Sequence, residues 1–307
     1  MHTILLLAFF EVSRTANSMC GAAILLFLIA LWALKTDIAK APGLDKVVAL
    51  SNLCFAIPLA VFGAEHLSAA QFIQQGVPSF VPWHLFWAYF VGFALLAASL
   101  SIATKIQVRW SGLLFGVMMF LFVAMMDIPG ALANPKDRFA WTLLLRELAF
   151  GGGGWLLAAA AMRKQGRGQD QSQAASGLFT IGRILVGIAA IFYGVETFMH
   201  PLGMPGIPLE KLMSDWIPAR PLIGYLTAAI LVVAGAAILL AQKTRMAATY
   251  LGAWIVLLVI FVYGPILIVS LADPSTTVKV EGLNYFFDTL LWGGAILALA
   301  SATPRTD

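Results

Sequence analysis

Two short stretches repeat a pattern that could move protons, Phe62-Gly63-Ala64-Glu65 and Tyr193-Gly194-Val195-Glu196. Each closes an apolar run of about 20 residues, the length that crosses a bilayer. An ionisable group at the centre of a spanning helix costs about 2.5–3.5 kcal/mol, so its placement is informative. Further groups stand in later apolar runs: Asp127, the pair Arg146-Glu147, Arg183 and Asp288, with Tyr263 at the position that matches Asp127. Two carboxylates facing each other in a low dielectric would share a proton, and a pair of that kind can take up and release protons. Glu65, Glu147, Glu196 and Asp288 are therefore the candidate proton-handling, catalytic residues. Arg146, Asp127, Tyr263 and Arg183 are candidates to line a binding pocket or support the bundle. A purely structural use competes with this: Glu147 would pair with Arg146 or Arg138, and Glu196 would bond a loop amide or Tyr225.

The elements that must position these groups follow from composition. The 307 residues are 61% hydrophobic and 11% charged, against about 25% charged in soluble domains. Mean hydropathy is +0.89. Too little polar surface exists to cover a soluble core, so a polytopic, all-α membrane protein is expected. The net charge of +4 gives no reason to expect nucleic acid; the bilayer is the expected partner. Cys20 and Cys54 lie in apolar runs, where buried, inert thiols are the natural reading. No metal site is expected. His66, His84 and His200 fall near one surface, away from the facing positions that haem ligands need, and His2 lies near the start of the chain, so haem is disfavoured.

Residues 1–40 form an N-terminal helical segment outside the main pattern, resembling an uncleaved signal anchor without its basic leading region. Eight further apolar segments follow, at roughly Val47–Leu67, Trp83–Thr104, Ser111–Ile128, Trp141–Met162, Leu178–His200, Leu222–Ala241, Ala247–Ala272 and Tyr285–Ala302. All have helical length and none alternates as a barrel strand would. The polar stretch 163–177 reads as a cytoplasmic linker between two units, 41–162 and 178–303. Lysine and arginine number eleven in one set of loops and six in the other, which predicts the first set in the cytoplasm, the N-terminus outside and the C-terminus inside. Both units then begin and end on the same side, as parallel repeats.

Sequence offsets support a duplication. Glu65 matches Glu196 at one offset. Pro82, Tyr89, Gly116 and Pro129 match Pro218, Tyr225, Gly252 and Pro265 at a second, slightly larger one that is common to all four. Glu147 and Gly152-Gly153 match Asp288 and Gly293-Gly294 at a third, larger again. The offset changes only between helices, where loops accept insertions.

The helix from Gly182-Arg183 through Gly187 to Tyr193-Gly194-Val195-Glu196, followed by a loop to Pro218 and three more helices, resembles the DoxX family. Residues 47–162 resemble a diverged copy, in which Asn52 stands where Arg183 does. The resemblance implies two compact four-helix membrane units in a bacterial cytoplasmic membrane. It also implies a quinone-reactive or membrane-anchoring subunit of a sulfur- or thiol-linked oxidoreductase. A quinone would be the cofactor, and a periplasmic or membrane oxidoreductase the partner. Within such a unit helices one and four adjoin, so Glu65 is expected to face Glu147 and Glu196 to face Asp288 in outward-opening cavities. Rival readings are a proton-coupled transporter or exporter, since tandem repeats suit alternating access, and a scaffold without chemistry. Gly151–Gly154, though glycine-rich like a phosphate loop, lies mid-helix and is better suited to close helix packing.

Overall fold

The computed structural model describes residues 2–166, 169–208 and 210–304, with side chains from Arg14 onward. Arg167 and Arg305 of the topology count, and the side chain of His2, lie outside the described residues. Among the described residues the chain is all-α, with nine helices long and apolar enough to cross a membrane. They are α1 (His2–Lys40), α2 (Asp45–Ser68, with a turn at Leu50), α3 (His84–Thr104), α4 (Val108–Ala133), α5 (Arg138–Gln165), α6 (Gln169–Met199), α7 (Arg220–Leu239), α8 (Thr244–Ala272) and α9 (Thr276–Ala302). The only β pairing among the described residues is an isolated bridge between Gly203 and Leu212.

The helices outrun the apolar segments. The stretch 163–177 is mostly helical, because α5 continues to Gln165 and α6 starts at Gln169. Its glutamines and alanines are adequate helix formers. Local chemistry sets the ends. The Asp137 carboxylate accepts the Phe139 amide at 2.9 Å to start α5, the usual work of an N-cap side chain. Gly166, at φ 61°, supplies the left-handed residue that closes α5. The long loops, 69–83 and 200–219, join α2 to α3 and α6 to α7. This end of the bundle is termed the long-loop face and the opposite end the short-turn face.

Unusual backbone recurs at a fixed spacing. Single π turns sit inside α4 and α8, at Val123–Asp127 and Val259–Tyr263. Left-handed residues occur at Trp83, Lys105 and Gln107, and again at Ala219, Ala241 and Lys243. Every one of these pairs keeps the same offset that relates Pro82 to Pro218. Near the short-turn face, Asn52 donates from Nδ2 to the Ile102 carbonyl at 3.0 Å. Arg183 donates from Nη1 to the Ile238 carbonyl at 2.5 Å and to Leu239 at 2.8 Å. Both bonds tie the first helix of a set of four to carbonyls in the last turn of its second, adding a side-chain donor where the regular helical ladder runs out.

Packing crosses between the sets. α2 lies along α9 and α5 lies along α6, so the first helix of each set is seated on the fourth helix of the other, while α5 and α9 meet at the centre. The expected adjacency of helices one and four within a set thus gives way to a more extensive adjacency between sets, although α6 still touches α9 where Tyr193 meets Trp292. The glycines explain how. A side chain at Gly151 would strike Phe120 of α4, one at Gly152 would crowd Leu185 and Gly182 of α6, one at Gly153 would strike Ala295 of α9, and one at Gly154 would strike the Gly112 carbonyl of α4. Four consecutive bare positions point around the helix and let three neighbours approach at once, with backbone contact replacing the hydrophobic drive that lipid removes. Gly294 of α9 is pressed against the backbone of Cys54 and Phe55 in α2. There Pro58 leaves the Cys54 carbonyl without its helical donor.

α1 lies outside this arrangement. It buries Met19, Leu26, Ala30 and Leu34 against the bundle and exposes Leu25, Leu28 and Trp32, as a peripheral helix facing lipid should.

A Cβ at Gly294 would stand 2.8 Å from both the Cys54 carbonyl carbon and the Phe55 nitrogen. Gly294→Ala should therefore lower stability by about 1–3 kcal/mol, the usual cost of overpacking. Gly177→Ala meets nothing within 4 Å and should raise it by about 0.5–1 kcal/mol through helix propensity. Thermal unfolding in mild detergent measures both, and equal midpoints for the two variants would contradict the interlocked packing.

Candidate functional site

The polar groups gather towards the long-loop face. A cavity of about 270 Å³ opens among α2, α3, α4, α5 and α9. Phe62, Phe115, Phe122, Phe150, Leu95 and Leu291 give it an apolar wall, and Glu65, His66, Arg146, Glu147, Asn284 and Asp288 a polar one. Its volume falls just below the range of ligand pockets, about 300 to 1,000 Å³, and its mixed lining is typical of them. It suits one ring-sized head group.

At its centre a single guanidinium joins two acids. Arg146 donates from Nη2 to Glu147 Oε1 at 2.9 Å and from Nε to the same oxygen at 3.2 Å. Its Nη1 reaches Asp288 Oδ2 at 2.7 Å, across the α5–α9 contact. The planar fork of arginine makes this double engagement possible, where a lysine ammonium would hold it poorly. Side-chain exposure is 20% for Arg146, 16% for Glu147 and 11% for Asp288, so the bridge sits in a largely dry setting where each charge depends on the other two. Glu147 and Asp288 occupy matching positions in the two sets of helices, whereas the position that matches Arg146 is Phe287, buried and apolar. One arginine serves both acids.

The remaining candidates divide. Glu65 Oε1 accepts from Asn284 Nδ2 at 3.1 Å, and both line the cavity with Glu147 and Asp288. Glu65 and Glu147 therefore line one pocket with α9 between their helices, and not through the direct meeting of α2 with α5 that the sequence led one to expect. Glu196 does not meet Asp288: its Oε2 pairs with Arg138 Nη1 of α5 at 3.3 Å, because α6 is seated on α5. Asp127, at the end of its π turn, is close enough to Arg146 and Glu147 for their charges to act on it, and its buried Oδ2 has no hydrogen-bond partner in the structure. Tyr263 donates to the Pro205 carbonyl at 2.7 Å and does not itself line the cavity. Arg183 is far from it too, holding the end of α7.

Sequence reasoning missed several pocket residues. Asn284 precedes Asp288 by one helical turn, so both share a face, and that spacing was the available signal. His66, whose Nδ1 donates to the Phe62 carbonyl at 2.8 Å, adjoins Glu65 in sequence. The phenylalanines carried no signal, since aromatic residues fill any membrane core.

A second, larger crevice of about 740 Å³ lies at the short-turn face, lined by Lys40, Lys105, Lys164 and Arg245 together with Asp37 and Asp45. Lys105 pairs with Asp37, and Arg245 with Asp45 at 2.7 Å.

Removing Arg146 strands two buried acids. Arg146→Leu should cost about 3–5 kcal/mol, the range for breaking a buried ion pair from one side. Adding Glu147→Gln and Asp288→Asn to it should recover most of that loss, since the charges leave together. Unfolding midpoints of the single and triple variants provide the comparison. A triple variant no more stable than the single one would show that the bridge is not what the arginine supplies.

Compared with known protein families, curated proteins and solved structures, the chain matches none.

Proposed function

We propose that the chain is a multi-pass membrane protein whose long-loop-face pocket binds a small ring-bearing amphipath and exchanges protons with it. The quinol–quinone couple is the ligand that the resemblance to DoxX proteins would supply. On this reading the two sets of four helices are copies of one unit, with the long-loop face outside the cell. The protein serves as the quinone-reactive subunit of an oxidoreductase whose electrons leave to, or arrive from, a partner.

One observation carries the proposal: Arg146, Glu147 and Asp288 form a closed charge bridge inside an aromatic-walled cavity. The lining suits the head group of a quinone, with Phe62, Phe115, Phe122 and Phe150 around a ring and the polar groups at one side. Bound there, a quinone would supply two-electron chemistry that consumes or releases two protons. The chain's own residues would orient the ring, exclude water and hold protons. Glu65, steadied by Asn284, and the two acids on Arg146 are the proton holders; Arg146 keeps Glu147 and Asp288 in place as proton occupancy changes.

The preference for a quinol-binding site has a direct test. Hexylhydroquinone, titrated into the full chain in nanodiscs, should bind, and the double variant Glu147→Gln/Asp288→Asn should bind it about tenfold more weakly, or ~1.4 kcal/mol. Undiminished affinity in that variant would remove these acids from the site.

A second reading, proton-coupled transport of a cationic solute, is favoured by one feature. Glu65, Asp127, Glu147 and Asp288 gather near a single arginine, and such an excess of acid at membrane depth calls for protons or a cationic occupant. Uptake of hexylammonium into vesicles driven by an imposed pH gradient would favour transport. Binding without flux would favour the oxidoreductase subunit.

A further inference from the structure

The two halves treat the same space in opposite ways. In the second half the loop after α6 turns inward. Met204, Ile207, Met213 and Ile217 are buried, and the space beside Gly206 is bounded by Ile255 and Leu258 of α8 and Thr289 of α9. Ile255 and Leu258 are the matching positions of Met119 and Phe122, at the offset shared by the π turns, and Met119 and Phe122 line the first-half pocket. The segment Met204–Pro208 thus fills the counterpart of that pocket. It is held by hydrogen bonds through its carbonyls: Tyr263 donates to Pro205 at 2.7 Å, and the Thr142 hydroxyl lies 3.5 Å from the Pro208 oxygen. The loop after α2 does the reverse. It is shorter and stays on the surface, with Phe72 and Phe80 exposed, and the pocket beneath it is left open.

The groups waiting at the two places are complementary in kind. Tyr263, a donor, meets the carbonyl that the plug brings. Asp127, its match in the first half and likewise at the end of a π turn, offers acceptor oxygens, and its buried Oδ2 has no donor. Asp127 stands outside the cavity lining and is related to it by its match to Tyr263 and by the nearby Arg146 and Glu147, whereas the second orphan, also an acceptor, belongs to the lining itself. Asn284 spends its amide hydrogens towards Glu65, and its buried Oδ1 has no partner. A buried acceptor left unsatisfied costs about 1–3 kcal/mol, so an occupant that relieves both must carry hydrogens to give.

We infer that the first-half pocket takes an amphipathic ligand with a donor head, a hydroxyl or an ammonium group, which it presents to Asp127 and Asn284 in the place that the segment Met204–Pro208 fills in the second half. An apolar body lies against Phe115, Met119 and Phe122. This rests on the pocket being a ligand site, and narrows the ligand to one that donates; for a quinone couple it selects the reduced, hydroxylated form over the oxidised one. Asp127 and Asn284 are specificity-determining residues on this account, distinct from the Arg146 bridge.

The test uses the full chain in nanodiscs, with hexylhydroquinone, its dimethyl ether and hexylammonium titrated separately by calorimetry. At least one donor-bearing probe should bind about tenfold more tightly than the ether, which keeps the ring and loses its donors. Asp127→Val should shrink that ratio to about threefold or less by weakening the donor probe alone, and Asn284→Leu should act in the same direction if Asp127→Val fails to fold. Binding of hexylammonium but not of hexylhydroquinone would uphold the donor rule while removing the quinol reading. An ether that binds as tightly as the donor probes, a ratio unchanged in both variants, or no binding by either donor probe would overturn the inference.

Discussion

The contact between α5 and α9 is the constraint on which the rest depends. Gly153 and Ala295 let these two helices meet at the centre of the bundle, and Arg146 then spans the gap to Asp288. In water two packed helices would be held by their apolar faces. In lipid that drive is absent, and close backbone approach together with buried polar bonds must do the work. The same contact places Glu147 and Asp288 within reach of one guanidinium, and the seating of α2 on α9 beside it sets Asn284 next to Glu65. Were α5 and α9 further apart, the pocket would lose its polar wall and the acids their shared counter-charge.

The crossing of the two sets of helices gives the acids their different surroundings. Because α2 is seated on α9, Glu65 meets a neutral amide. Because α6 is seated on α5, Glu196 meets the charged Arg138. Two residues at corresponding places thus end in unlike company, one at the edge of a cavity and one in an ion pair. The substitutions around them follow the same division: Phe287 stands where Arg146 would be repeated, and Trp292, fully buried against Tyr193 with ring centroids 5.6 Å apart, stands where Gly151 would be. Bulk in the second half replaces space in the first.

Much of the fold was legible in the sequence. Apolar length locates the spanning helices because a bilayer imposes length on anything that crosses it, and the recurrent prolines, glycines and acids mark corresponding positions. The ends were less legible, since a polar helix outside the bilayer, such as the start of α6 at Gln169, leaves no hydropathy signal. The pairing of helices was not legible at all. α2 exposes to α9 a face that reads like any other apolar face, and nothing local distinguishes a partner in its own set from one in the other. The site shows the same pattern. Charged groups inside apolar runs announce themselves by their cost, so Arg146, Glu147, Glu65 and Asp288 could be found. Which of them share a cavity depends on the crossing, and the aromatic wall is chemically indistinct from core.

The seating of α2 on α9 also bears on how the molecule comes into being. A membrane chain enters the bilayer in the order in which it is made, and domains that fold early usually do so from what has already emerged. Here α2 packs along α9, a helix that lies far downstream in the chain, as well as against its sequence neighbours α1 and α3. Until α9 arrives, the backbone of Cys54 and Phe55 faces lipid or a temporary neighbour, and Glu65 lacks the amide of Asn284. The polar wall of the pocket is therefore completed only once α9 is in place, and the assembled site certifies that α2 through α9 have all been threaded.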